Sequence, residues 1–276
     1  MRIDSHQHFW KYNPSEYGWI KEDMIAIGRD FLPQHLAEEI TRAGIDGTIA
    51  VQAAGKGETE WLLELAQQWP FIRGVVGWVP LIEPTAEAAI ERLAVTPKLR
   101  GLRHVLQDEA DPNYMLRADF NAGIRKLRAF ALTYDILIFE RHLPQTIEFV
   151  DRHPDQIFVV DHIAKPRIRA GEIDPWQSNI RELAKRQNVY CKLSGMVTEA
   201  DWRTWSVEQL NPYLHVVLEA FGAKRLMFGS DWPVCLLACP YPKWVMLVEN
   251  TLEELSIPEQ ERIWGGTAIE AYGLKI

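Results

Sequence analysis

Cysteine is scarce. The 276-residue chain holds three, Cys191, Cys235 and Cys239, too few for a disulfide framework. Cys235 and Cys239 can stand one turn apart on a helix, but two thiols do not complete a structural zinc site, so buried free thiols are expected. Long apolar runs are missing too. No segment approaches the roughly 20 apolar residues that cross a bilayer, and Met1 leads directly into Asp4-Ser5-His6-Gln7-His8 rather than into a secretory leader. The expectation is a protein of the reducing cytoplasm. A basic excess is also lacking: 30 Lys and Arg face 38 Asp and Glu, for a formal net charge of -8. Both signs are interspersed, which argues against nucleic acid or anionic membrane as a partner. Oligomeric state is not readable from the sequence. No linker, low-complexity tract or repeat divides the chain, so one domain over residues 1–276 is expected.

What is present is ample core material, 47% hydrophobic residues, in a regular alternation of element types. Short apolar or β-branched runs at 2–8, 47–53, 72–80, 99–106, 133–139, 156–162, 189–194 and 225–230 predict eight strands. Several are apolar on successive residues, such as Ile157-Phe158-Val159-Val160, as parallel strands covered on both faces require. Helical periodicity fills the gaps: from Pro33 to about Ala43, where Gly44 can end it, then 58–69, 85–93, 120–131, 144–153, 175–187, 207–221, 242–255 and 258–272. Proline recurs near first turns, where its missing N–H costs nothing. Eight strands each followed by a helix predict a (β/α)8 TIM barrel, an α/β fold. An open doubly wound sheet would want a glycine-rich phosphate loop after the first strand, and His6-Gln7-His8-Phe9-Trp10 stands there instead. The long segment 9–29, with Trp10, Tyr12, Tyr17 and Trp19, is expected over the barrel mouth.

Catalytic groups of such barrels come from the carboxyl-terminal strand ends. Those ends offer His6 and His8, Gln52, Arg103 and His104, Glu140 and Arg141, Asp161, His162 and Lys165, Lys192 and Ser194, and Ser230, Asp231 and Trp232. A solvated rim is polar as well, but it rarely collects three imidazoles. His6 and His8, two apart on a strand, face one side, which suits two ligands to one metal or two donors to one oxygen. Asp231, before Trp232-Pro233, leaves the strand in an extended or turning conformation. It reads as a metal ligand or a general base, with helix capping as the plainer alternative. His162 reads as a third imidazole facing the centre or as a core histidine held by a carbonyl.

At these residues the sequence resembles the amidohydrolase superfamily, and within it the lactonases of the L-fuconolactonase and L-rhamnonolactonase group. The resemblance rests on 2–10 (RIDSHQHFW), 100–107 (RGLRHVLQ), 161–166 (DHIAKP), 192–199 (KLSGMVTE) and 229–234 (GSDWPV), which span almost the whole chain. It implies a barrel with His6, His8, His162 and Asp231 as catalytic core and as the set holding one divalent ion, zinc. Arg103, His104, Lys165 and Trp232, with Gln52 from its strand end, are the expected substrate-binding residues. Turnover without the ion stays open. Many superfamily members bridge two metals through a carboxylated Lys on the fourth strand and a His on the fifth. Here Arg103 and His104 occupy the fourth and the fifth has no His, which argues against a binuclear centre. The implied activity is hydrolysis of a small sugar lactone, with Asp231 taking a proton from water and returning it to the ring oxygen. Tryptophans such as Trp10, Trp19 or Trp232 would stack on the ring. The alternatives are a zinc-dependent decarboxylase of the same superfamily, a hydrolase of a dicarboxylated lactone using Arg103 and Arg141, and a barrel that binds without turnover.

Overall fold

The computed structural model describes residues 1–53 and 57–275. Eight parallel strands pair in the order of the chain: β1 (Ile3–Gln7), β2 (Gly47–Val51), β3 (Ile72–Gly77), β4 (Leu99–His104), β5 (Thr133–Ile136), β6 (Phe158–Val160), β7 (Val189–Leu193) and β8 (Leu226–Phe228). Sequential parallel pairing requires a crossover after every strand, and helices supply it on the outside. The sheet closes on itself at the β1/β8 seam. There Gln7 bridges in parallel to Trp232, the His8 N–H donates to the Trp232 carbonyl at 2.7 Å, and the Asp231 N–H donates to the His6 carbonyl at 2.8 Å. The expected barrel is present, and His8, Asp231 and Trp232 at its seam are residues that the sequence singles out for chemistry.

Two apolar layers follow from the closed sheet. The larger lies between strands and outer helices. The smaller takes the other strand face, with Ile3, Ile49, Val51, Val76, Val159 and Met227, and is closed by Ala268, Ala271, Tyr272 and Leu274 from the chain's last helix and the residues just after it. No helix among the described residues is long and apolar enough to cross a membrane, and all three cysteines are free and buried.

Strands are shorter than the apolar runs suggest, because several runs continue into tight turns that carry functional groups. Helices match closely in most places; Val207–Phe221 falls where the periodicity puts it. The exception is 258–272. It breaks into Ile257–Glu261, a wider π-type turn at Arg262–Gly266, and Thr267–Ala271. A Cβ on Gly265 would lie 2.2 Å from the Met1 carbonyl oxygen, so the wide turn admits the first residues of the chain where side-chain periodicity alone foresees a continuous helix.

Candidate active site

The seam builds the centre of the site. The register between β1 and β2 shifts between Asp4 and Gln7. Asp4, wholly buried, accepts the N–H groups of His6 and Ser230 on one oxygen and the Tyr241 hydroxyl on the other. It therefore ties the end of β1 to the chain leaving β8. His6 and His8 then face the interior with Nε2 atoms 3.2 Å apart. Asp231 stands beside them in a left-handed conformation, φ +57°, with Oδ1 at 3.3 Å from His8 Nε2 and 3.8 Å from His6 Nε2.

His162 arrives by a different route from the one expected. β6 ends at Val160, and residues 162–165 all carry positive φ, from +47° to +62°. Left-handed backbone costs about 1–2 kcal/mol per non-glycine residue, and strain of this kind concentrates at functional sites. Here the turn is fastened by the Trp176 indole N–H to the Ile163 carbonyl at 2.7 Å. It turns His162 so that Nε2 lies 3.9 Å from Asp231 Oδ1, and it carries Lys165 to the cavity wall. Ser194 Oγ sits 2.9 Å behind His162 Nδ1. Gly195, φ +64°, supplies the floor beneath the ring, where a Cβ would fall 2.6 Å from Nδ1. Gly195→Ala is therefore expected to push His162 off Asp231 and cut kcat at least tenfold, with a loss of stability of about 1 kcal/mol from the left-handed backbone. Steady-state kinetics beside a thermal melt checks both, and unchanged kcat would remove His162 from the machinery.

Electrostatics set the protonation states. Burial, aided by the charge of Lys192, keeps the His6 imidazole well below its ordinary value, and burial lowers His162 to about 4. Both rings are neutral at pH 7. Burial alone would raise Asp231, but in acid the charge gained by a protonated His162, the hydrogen bond from His8 and the charge of a protonated His6 outweigh it and hold the carboxyl well below the usual range. His8 Nδ1 lies 2.6 Å from the Val51 carbonyl, which only accepts, so Nδ1 carries a proton.

Beneath this centre lies a group of charges whose pairing the sequence does not reveal. Lys192, wholly buried, places its ammonium 2.6 Å from Asp135 Oδ2, 2.9 Å from Asp161 Oδ1 and 3.0 Å from His6 Nδ1. The ammonium hydrogen-bonds to Asp135 and His6 and meets Asp161 as an ion pair. Asp161 also pairs with Arg103 at 3.0 Å, and the Tyr272 hydroxyl donates to Asp135. Two cations and two carboxylates give a neutral, closed hub. Lys192 and Asp161 stand among the polar strand ends. Nothing local in the sequence marks Asp135, inside an apolar strand, as their partner.

Above the centre opens a cavity of about 510 Å³. His8, His162 and Asp231 reach it from below, and Arg103, His104 and Lys165 line it as expected. Trp19 and Trp78 are the aromatic walls; Trp78, from the loop after β3, escapes sequence reading because no polar neighbour marks it. Two expected contacts do not form. Trp232 is buried against Phe31 and Phe9, with ring centroids at 5.2 and 6.0 Å, because the seam turns its side chain outward. Gln52 lies behind the wall, its carbonyl accepting from Arg103 Nη2 at 2.5 Å and its side-chain oxygen from the Thr59 hydroxyl. Its carbonyl thereby holds Arg103. Trp10 is fully buried too, its indole N–H on the Arg29 carbonyl.

The donor set suits a metal. His6, His8 and Asp231 each offer a ligand atom within 4.8 Å of the others, and an overlapping group joins His6, Asp161 and His162. Asp161 is already engaged by Lys192 and Arg103, so the first group is the better cradle.

A family model described as Amidohydrolase matches residues 3–274. The chain is similar to the L-fucono-1,5-lactonase of Burkholderia multivorans, 45% identical with 99% of this chain and 96% of that protein covered. It is similar to the L-fucono-1,5-lactonase of Burkholderia ambifaria at 39% identity, with 99% and 95% covered. Among solved structures it resembles an amidohydrolase from Burkholderia multivorans with bound Zn, with a TM-score of 0.94, 45% identity and the whole of both chains covered.

Proposed function

The chain belongs to the amidohydrolase family, and from that premise we propose that it hydrolyses the ring ester of a sugar aldonolactone, of the L-fucono- or L-rhamnonolactone type, to the free sugar acid. The observation that carries this reading is the convergence of three imidazoles on one ionised carboxylate, Asp231, at the floor of an aromatic-walled cavity. The naming of the full-length relatives as lactonases supports it.

Asp231 accepts a proton from water as the water oxygen attacks the lactone carbonyl carbon. Charge develops on the carbonyl oxygen, and the Arg103 guanidinium and Lys165 ammonium, both at the cavity, are the cations to meet it. Collapse of the tetrahedral intermediate breaks the ring C–O bond, and Asp231 returns its proton to the departing alkoxide. The product carboxylic acid ionises and acidifies the medium. Ser194 sits behind His162 and is wholly buried, so it steers the ring and does not serve as a nucleophile. A zinc ion held by His6, His8 and Asp231, with His162 adjacent, would supply Lewis acidity toward water and toward the lactone carbonyl.

The rival readings fare less well. A dicarboxylated lactone calls for several free cations. Arg103 and Lys165 are committed to the reacting carbonyl, Arg141 does not line the cavity, and Asp108 and Glu109 add negative charge to its wall. Decarboxylation and silent binding have no support from the full-length relatives.

Proton release from freshly prepared aldonolactones in weak buffer, with and without chelator, tests the proposal. Rapid acidification by one or two sugars is expected, falling at least tenfold after chelation and returning with zinc. Silence across the panel from folded, zinc-supplied protein would sink the lactonase reading, and a rate indifferent to chelation would assign the reaction to the side chains alone.

A further inference from the structure

His104 lines the cavity, yet neither of its ring nitrogens is available to a substrate. The Trp78 indole N–H, which can only donate, points at Nδ1 at 3.2 Å. Nδ1 is therefore the acceptor and the proton resides on Nε2, which donates to Glu109 Oε1 at 2.6 Å. Tyr114 stacks on the ring face, centroids 5.1 Å apart and planes within 2° of parallel. Every polar contact of His104 is thus spent on presenting two neighbours, Trp78 and Glu109, which share the cavity wall with it. Glu109 is ordered by this arrangement although its side chain remains 30% exposed. Asp108 beside it adds a second carboxylate to the same wall.

We propose that Glu109, held by the Trp78–His104 relay, is the specificity determinant of this site: it accepts hydrogen bonds from ring hydroxyls and excludes lactones that carry a further carboxylate, restricting the enzyme to neutral polyhydroxylated rings. His104 acts through Glu109 as a positioning residue. An ionised acceptor bonds a hydroxyl more strongly than a neutral one, and the same charge placed against a carboxylate costs binding, so one side chain serves both selection and rejection. The Trp78 face next to it offers an apolar surface for the ring's C–H side. The proposal rests on the lactone reading for its substrate class, while its geometry concerns recognition alone.

The experiment is a matched pair of binding measurements by calorimetry, using a neutral sugar lactam that resists hydrolysis and its carboxylated counterpart, on the wild-type protein, Glu109→Gln and His104→Gln. The wild type is expected to prefer the neutral lactam at least tenfold. Glu109→Gln keeps the size and an acceptor oxygen but loses the charge. It should bind the neutral lactam several-fold more weakly and the carboxylated one more tightly, shrinking the preference about tenfold. His104→Gln should move in the same direction by a smaller factor, because Glu109 loses its anchor. A role confined to structure would weaken both ligands in parallel and leave their ratio unchanged, and that result, like a wild type without preference, overturns the proposal. Because no turnover is involved, failure here is separate from failure of the lactonase reading, which the proton-release assay decides.

Discussion

Replacing Asp231 by Asn is expected to abolish turnover, lowering kcat by about 10³-fold or more, while the melting temperature falls only slightly. The rate loss follows from removal of the one carboxylate toward which His6, His8 and His162 all aim. General-base assistance contributes typically about 10²–10⁴-fold, and the same residue serves again as the acid. The smallness of the stability change follows from the backbone. Asp231 sits at φ +57°, a region that Asn tolerates as readily as Asp, and the amide matches the carboxylate in size. Neutralising a carboxylate whose surroundings net favour its ionised form forfeits a modest stabilisation at neutral pH, which keeps the expected change small and negative. Stopped-flow proton release and a thermal melt on the same preparation check both halves. Substantial residual activity in the folded variant would take Asp231 out of the mechanism, and a large fall in melting temperature would recast it as a structural anchor of the seam.

Lys192→Met should do the converse, with its largest effect on the fold. The ammonium is wholly buried among Asp135, Asp161 and His6 Nδ1, and nothing else within that group can neutralise Asp135. Removing one member of a buried charge set leaves the others uncompensated, at a cost of about 3 kcal/mol. For a chain of this size that is a fall of roughly 5–10 °C in melting temperature. Burial already pushes Asp135 upward against the pull of Lys192, so the variant is expected to take up a proton there and recover part of the loss. The discriminating comparison is the double variant, Lys192→Met with Asp135→Asn, which restores neutrality with Arg103 and Asp161 left as a pair. It should regain at least half of the lost stability. Additive losses in the two single variants would contradict the idea that the hub is held by charge balance. Catalysis should suffer as well, because His6 loses the partner that fixes its ring.

The alternation of apolar runs with helical stretches made the barrel legible. Eight strands at the expected places need parallel crossovers, and the absence of a phosphate loop after His8 removed the main competitor. His6, His8, His162 and Asp231 were legible because polar residues at strand ends are conspicuous against an apolar background, and the structure brings all four together. What stayed hidden depends on directions that sequence spacing does not encode. Trp232 reads as a pocket residue by its neighbours, yet the hydrogen-bonded seam turns it toward Phe9 and Phe31. Gln52 contributes its carbonyl to Arg103, and its side-chain oxygen accepts from Thr59. His162 needed a left-handed turn that no residue type announces. Asp135 and Tyr272 are 137 positions apart and meet only in the closed barrel, so the charge balance under the site has no local signature.

Whether Asp231 drives the opening of a lactone ring is decided most directly by a nuclear magnetic resonance time course. A freshly dissolved neutral aldonolactone is followed with wild-type protein and with Asp231→Asn. The wild type is expected to convert the lactone carbonyl signal to that of the carboxylate far faster than buffer alone, while the variant follows the buffer. A wild type that tracks the spontaneous rate, or a variant that keeps pace with the wild type, would contradict this assignment.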